Sequence, residues 1–423
     1  MQQPLASALA DNPSPHSQCA DFQADAERVL HHLRTALSKV ITSVPERVAK
    51  PTDLHRALRI DLNVCCKVLK AISAPGILPV GLHLPGIIAL RAFLKAARKA
   101  GVPETIVDDA AEATDAFNQL INTHADDRST FDSMISSLLD SEDAANVTFQ
   151  HRRATARGQA HLFGMQARVQ LKCLIIQPSD QNPAMLDLAN LSGYVSLRLW
   201  RQAQSPIVLT PAYTTNDDGH STRHVHREPL DRSAQSAMGA SLLPEFCQGP
   251  QIQLREVAAS PGRVLGELVG VGIGNKSAVT CIEGHLNRAA VPRYQEPNNK
   301  IGGHLAEIRV PCDSLFLDLL VREDTFGPLR PTMHACADHL AGLREPGLNA
   351  WHPLPYESVE HLGKGTSVLY TPEYPRYPEL GKHAFDLLGW DAERFDVYRC
   401  RVEYPVLPST IAMFFDLPLA PNT

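Results

Sequence analysis

The chain has 423 residues, enough for two or three domains at roughly 150 residues each. Hydrophobic residues make up 44% and charged residues 20%, which excludes collagen-like, coiled-coil and wholly disordered classes. The formal net charge of −6 points by itself to no partner, and 32 prolines cap helix content over much of the chain.

Residues 1–25 are expected as a disordered tail. The opening MQQPLASALADNPSPHSQ has no Lys or Arg before its short apolar stretch, and it reaches Asp11 too soon for a secretory leader. DAERVLHHLRTALSKVI then places Val29, Leu33, Ala36, Leu37 and Val40 at helical spacing. Twenty residues between Lys70 and Arg91 carry no Lys, Arg, Asp or Glu. Pro75, Pro79, Pro85, Gly76, Gly81 and Gly86 break them too often for a membrane helix, so a buried loop or short hairpin is expected. PGIIALRAFLKAARKAG reads as a helix opening near Pro85 and closing at Gly101. PETIVDDAAEATDAFNQLINTHA and TFDSMISSLLD read as two more.

Charge is segregated along this part of the chain. Arg28 to Ala100 holds thirteen basic residues against Glu46, Asp53 and Asp61, a net of +10. Gly101 to Gln150 holds eleven acids against Arg128, a net of −10. The near-neutral total therefore hides a basic module over 26–100 and an acidic helical segment over 101–152.

From 153 to 423 the texture is that of a β-rich mixed domain, with room for two subdomains. ARVQLKCLIIQP, GYVSLRLW, SPIVLTPAY, IQLREVAA, RVLGELVGVGI and HLAEIRVP are short, rich in Val, Ile and Leu, and bounded by Pro, Gly, Asn and Ser. Two long polar connections are expected, TTNDDGHSTRHVHREPLDRSAQSAMGAS and HLNRAAVPRYQEPNNKIGG. A helix near PELGKHAFDLLGW and a strand near FDVYRCRVEYPV close the chain. The fold class expected is α+β.

The stretch Pro51 to Ile72, PTDLHRALRIDLNVCCKVLKAI, resembles the helix-turn-helix of many bacterial transcriptional regulators. In that family the first helix often reads L-A-x-x-L-G-I-S and the second x-x-T-V-S-R-x-L. Here they correspond to Leu54–Asp61 and Leu62–Leu69, with Arg59 at the turn glycine. Leu54, Leu58, Ile60, Cys65, Val68 and Leu69 would form the small core between the helices, and Asp61 would cap the second. The resemblance implies duplex DNA as partner, with Arg59, Asn63, Lys67 and Lys70 as the contacts. A basic patch is the electrostatic footprint that phosphate contacts require.

Other patterns carry less. GELVGVGIGNKS has the wrong glycine spacing for a dinucleotide loop, and a glycine-bearing hairpin or bulge fits it better. The Gly-Lys-Gly-Thr of HLGKGTSVLY lacks the upstream glycine of a phosphate loop. His220, His224 and His226, with Asp217, Asp218 and Glu228, lie in a polar loop that offers a metal no fixed frame. His334, Cys336 and His339 would not share one face of a helix. Trp390, Phe395, Tyr398 and Tyr404 are read as C-terminal core. No catalytic, cofactor or metal residue is assigned.

Nine scattered cysteines without a C-x-x-C pair are expected as free thiols in a cytoplasmic protein. The reading that follows is a cytoplasmic, homo-oligomeric DNA-binding regulator with no membrane partner, its C-terminal part sensing a small-molecule effector or mediating assembly. The alternatives are a structural or assembly protein, and an enzyme whose site lies in the rear domain.

Overall fold

The computed structural model describes residues 15–139, 142–202, 207–210, 227–233, 241–250, 252–260, 263–297, 299–336 and 358–421. The fold is α+β, and the chain divides into two compact units, Met1–Gln150 and His151–Thr423.

The first unit is helical. Helix α1 spans Pro15–Thr42 and buries Phe22, Ala26, Leu30, Leu33, Leu37 and Val40, an i, i+3, i+4 stripe. Residues 15–25, expected in a disordered tail, thus belong to this helix, because Phe22 and Ala26 extend its apolar face. Residues 1–14 of that expectation lie outside the described residues. Helices α2 (Pro51–Leu58), α3 (Leu62–Ile72), α4 (Leu78–His83), α5 (Ile87–Lys99), α6 (Glu104–His124) and α7 (Arg128–Ser137) follow. The charge-poor stretch between Lys70 and Arg91 is no hairpin but holds α4, with Pro79 in its first turn where a missing N–H costs nothing. Gly81 lets this helix approach closely: a Cβ there would sit 3.1 Å from Phe131 and 3.3 Å from Leu30.

One hydrophobic core runs from Phe22 to Ile135, so the basic and acidic segments share a single interior. Arg128 ties it together. Its guanidinium donates to the Gly81 and Leu84 carbonyls and to Asp132, and it lies over the Phe117 and Phe131 rings. Helix α8 (Glu142–Phe163) runs across the division between the units.

The second unit is built on one long sheet. Its strands are β1 (Met165–Pro178), β2 (Met185–Leu199), β4 (Arg227–Pro229), β8 (Val279–Pro292), β10 (Cys312–Arg322), β12 (Glu360–Lys364) and β13 (Phe395–Glu403), ordered β12-β13-β10-β1-β2-β8-β4. Strand β5 (Ser241–Leu242) also pairs with β8. Among the described residues, only the β1–β10 pairing of this sheet's strands is parallel. Along β1, Val169, Leu171, Cys173 and Ile175 face a core closed by helix α9 (Tyr377–Leu388). Leu174 and Ile176 face a second core, closed by a three-stranded sheet of β11 (Thr332–Cys336), β14 (Ser409–Asp416) and β9 (Ile301–Ile308). A third sheet joins β3 (Ile207–Thr210), β7 (Arg263–Val269) and β6 (Gln253–Ser260).

Several sequence expectations need correction. The connection HLNRAAVPRYQEPNNKIGG is mostly strand, since β8 runs to Pro292 and β9 begins at Ile301. Buried Asp187 holds β8 together past a bulge, accepting from the Ala289 N–H at 2.8 Å and from Arg288 at 3.1 Å. His334 and Cys336 lie on strand β11, not a helix, while His339 is outside the described residues. His220, His224, His226, Asp217 and Asp218 are likewise outside them, and Glu228 lies in β4. Phe395 and Tyr398 are buried in the two cores flanking the sheet, and Trp390 stacks on Phe395 at 6.0 Å. Cys65, Cys66, Cys173, Cys247, Cys281, Cys312, Cys336 and Cys400 are free thiols. Among the described residues no helix is long and apolar enough to cross a membrane.

Candidate nucleic-acid interface

Helices α2 and α3 meet through a three-residue turn, Arg59-Ile60-Asp61. The turn is built locally. Arg59 adopts φ 54°, ψ 44°, the left-handed conformation for which glycine is the usual residue, and its N–H donates to the His55 carbonyl at 2.8 Å. The His55 Nδ1 meets the Ile60 carbonyl at 2.5 Å. Asp61 then caps α3, its Oδ1 accepting from the Asn63 N–H at 2.8 Å and the Val64 N–H at 3.4 Å. At the other end, the Asp53 carboxylate accepts from the Ala49 and Lys50 N–H groups and fixes the entry to α2.

The inner faces of the two helices hold Leu54, Leu58, Cys65 and Val68, all buried, with Ile60 and Leu69 partly so. Burial pushes the Cys65 thiol up to about 11, so it behaves as a small apolar group. With that face committed to the core, the opposite face of α3 is fixed by helical geometry. Asn63, Lys67 and Lys70 stand at i, i+4 and i+7 on one exposed side, spanning about 10 Å along the axis. Arg59 is exposed in the turn just before them. All four residues singled out in the sequence therefore fall on one stretch of surface. Arg56, which the sequence reading passed over, lines a shallow groove with Thr52, His55, Arg59, Ile60 and Asp61. Its signal was its position three residues before Arg59 on an exposed helix face.

Part of the basic charge elsewhere is already engaged. Helix α6 lies along α1 and α5. Its Asp109 accepts from Lys39 at 3.2 Å and contacts His32 at 3.1 Å; Asp108 pairs with Arg98 at 2.5 Å and Asp115 with Arg91 at 2.9 Å. The hydrogen bonds from His32 and Lys39 hold the Asp109 carboxyl below the usual carboxylate range. By contrast, Arg47, Lys50, Arg56, Arg59 and Lys67 make no ion pair among the described residues, and all are exposed. Lys95 and Lys99 on α5 are likewise exposed without an ion pair among the described residues, so the unpaired positive charge of the unit lies on the α2–α3 turn and on α5.

No protein-family model matches the chain, and no curated protein matches it in sequence.

Proposed function

We propose that the helical unit binds duplex DNA through α2, the Arg59–Asp61 turn and α3, and that the protein is a cytoplasmic transcriptional regulator acting as a homo-oligomer. The observation that carries this reading is the alignment of Asn63, Lys67 and Lys70 on the exposed face of α3, beside unpaired Arg56 and Arg59. In this docking α3 enters the major groove with Asn63 in its leading turn, and α2 crosses the phosphate backbone with Arg56. Asn63 is the one side chain there able to offer a bidentate amide to a base edge; the cations position the helix. The strand-rich unit then senses an effector or mediates assembly.

Full-length protein titrated into a labelled duplex of mixed sequence tests this. Retention is expected at about 50 mM salt and a steep loss as salt rises, roughly 0.9 log units of affinity per log unit of salt for each phosphate contact. Absence of any retention at that salt removes the reading.

One observation favours a second reading, an assembly protein. Ile88 is 86% exposed and lies in an apolar groove with Ile60, Val64, Ile87 and Phe93, directly beside α3. If that groove serves assembly, particle mass rises with concentration and Ile88→Asp abolishes the rise, while DNA retention is absent throughout.

A further inference from the structure

The central strand of a sheet covered on both faces is an unusual place for a lysine, yet Lys172 stands there, on β1. Its side chain points to the face shared with Leu174 and Ile176, away from the α9 core. Across the ladder Lys172 is opposite Ser192 on β2, and Ser192 is opposite Glu283 on β8. Directly opposed side chains lie on the same face, so the three form a polar row. Buried Ser192 donates to one oxygen of buried Glu283, and the His285 ring nitrogen meets the other at 3.2 Å. The row is thus internally satisfied up to Ser192, but the Lys172 side chain makes no hydrogen bond or ion pair among the described residues, and the residue is half-buried. Two more buried groups beside it lack partners: the Nε2 of His304 on β9, in a residue 7% exposed, and the Oε1 of Gln170, in a residue 2% exposed.

A desolvated, unpaired amine is the state in which lysine acts as a nucleophile. Burial pushes the Lys172 ammonium down, against the pull of Glu283 and Glu307 and with the repulsion of Arg227 and Arg309. Burial likewise holds His304 neutral, its value pushed down to about 3.

We propose that this face of the strand-rich unit is a binding site for a small carbonyl compound, which Lys172 holds as an imine. The neutral amine attacks the carbonyl carbon, the carbonyl oxygen takes up two protons and leaves as water, and a C=N bond replaces C=O. Ser192, opposite Lys172 in the ladder, begins a hydrogen-bonded row through Glu283 to His285 that can give and take those protons. The proposal does not depend on DNA binding.

Intact protein incubated with propanal and cyanoborohydride, then digested and mapped by mass spectrometry, tests it. Lys276 and Lys382, exposed on the same unit, are the internal references. Lys172 is expected to be alkylated several-fold faster than either at neutral pH, since a lowered pKa leaves more of the amine unprotonated. Its rate should level off at lower pH than theirs, and the excess should vanish in denaturant. A Lys172 that is unlabelled in the native protein, or labelled no faster than the references, overturns the proposal and leaves a structural lysine.

Discussion

Arg98 and Asp108 of the helical unit meet at 2.5 Å with 49% and 64% of their side chains in water. Arg399 on β13 and Asp318 on β10 meet at 2.7 Å with 6% and 0%. The distances are alike, and the surroundings differ in kind. The surface pair is screened by solvent and salt, and each such pair is worth at most about 1 kcal/mol. The interior pair is bidentate, Arg399 also donates to the Leu369 carbonyl, and the guanidinium lies over the Phe316 and Tyr377 rings. Pairs such as Arg98–Asp108 make charge an adjustable property of the helical unit's surface. The strand-rich unit fixes charge inside its packing, where removing one partner strands the other.

The sharpest way to break that contrast is to delete one member of each pair. Asp318→Ala leaves a buried guanidinium uncompensated and is expected to cost about 3–5 kcal/mol. Replacing both partners, Asp318→Leu with Arg399→Met, should recover most of that loss, because two well-packed apolar groups tolerate the site. Asp108→Ala should shift the denaturation midpoint hardly at all. Chemical unfolding of the three variants checks the ordering, and equal losses at positions 318 and 108 would end the distinction.

The interior of the strand-rich unit should also respond to acid through its histidines. His304 has a folded value of about 3 against an ordinary 6.5, because burial penalises its charged form. A depressed folded value means that the unfolded chain binds the proton first. The contribution is therefore complete above about 6.5 and is lost as pH falls toward 3, amounting to a few kcal/mol across that window. His285, pushed down by burial against the pull of Glu283, acts in the same direction. His304→Leu should flatten the fall in stability between pH 7 and 4. An unchanged slope in that variant would show that His304 does not stay neutral in the folded state.

How far the sequence revealed this depends on the range of the interactions concerned. Helix periodicity, Asp61 as a cap and the α2–α3 core of Leu54, Leu58, Cys65 and Val68 were all legible, because each is set within one or two turns of chain. Arg59 was placed at the turn by sequence as well, though its backbone conformation was not legible. It stands where the resembling motifs carry a turn glycine, and it takes the left-handed conformation there, held by its N–H to the His55 carbonyl and by the flanking helices. The polar row of Lys172, Ser192 and Glu283 could not be read, since its members are 20 and 91 residues apart and meet only through strand register. Nothing in the run ARVQLKCLIIQP marks Lys172; it is the second sheet, β11–β14–β9, that covers its face.

Arg59 offers a smaller effect that connects fold to function. Arg59→Gly removes the steric cost of a positive φ and is expected to change stability by no more than about 1 kcal/mol, in the stabilising direction. If Arg59 contacts phosphate, the same variant loses DNA affinity and about one unit of salt slope. A gain in stability with unaltered binding would confine Arg59 to the turn.

The smallest effect concerns the acidic helix. Asp108, Asp109 and Asp115 on α6 engage Arg98, Lys39 and Arg91, which removes those cations from the field around the α2–α3 turn. Glu112 is exposed on the same helix and makes no such pair among the described residues, so it serves as a control. Changing the three aspartates to Asn frees three positive charges without altering side-chain size. Because the pairs lie at the surface, the fold should survive and the melting temperature should scarcely move. At low salt, duplex affinity should rise a few-fold, since long-range attraction to phosphate grows with the net charge of the unit. Near 0.1 M salt the Debye length is about 10 Å, and the gain should fade as screening cuts off cations that do not touch the duplex. Glu112→Gln alone should produce a smaller change, having only its own charge to remove. If the triple variant binds no better at low salt while remaining folded, α6 supplies packing and solvation to the helical unit and does not tune its hold on DNA.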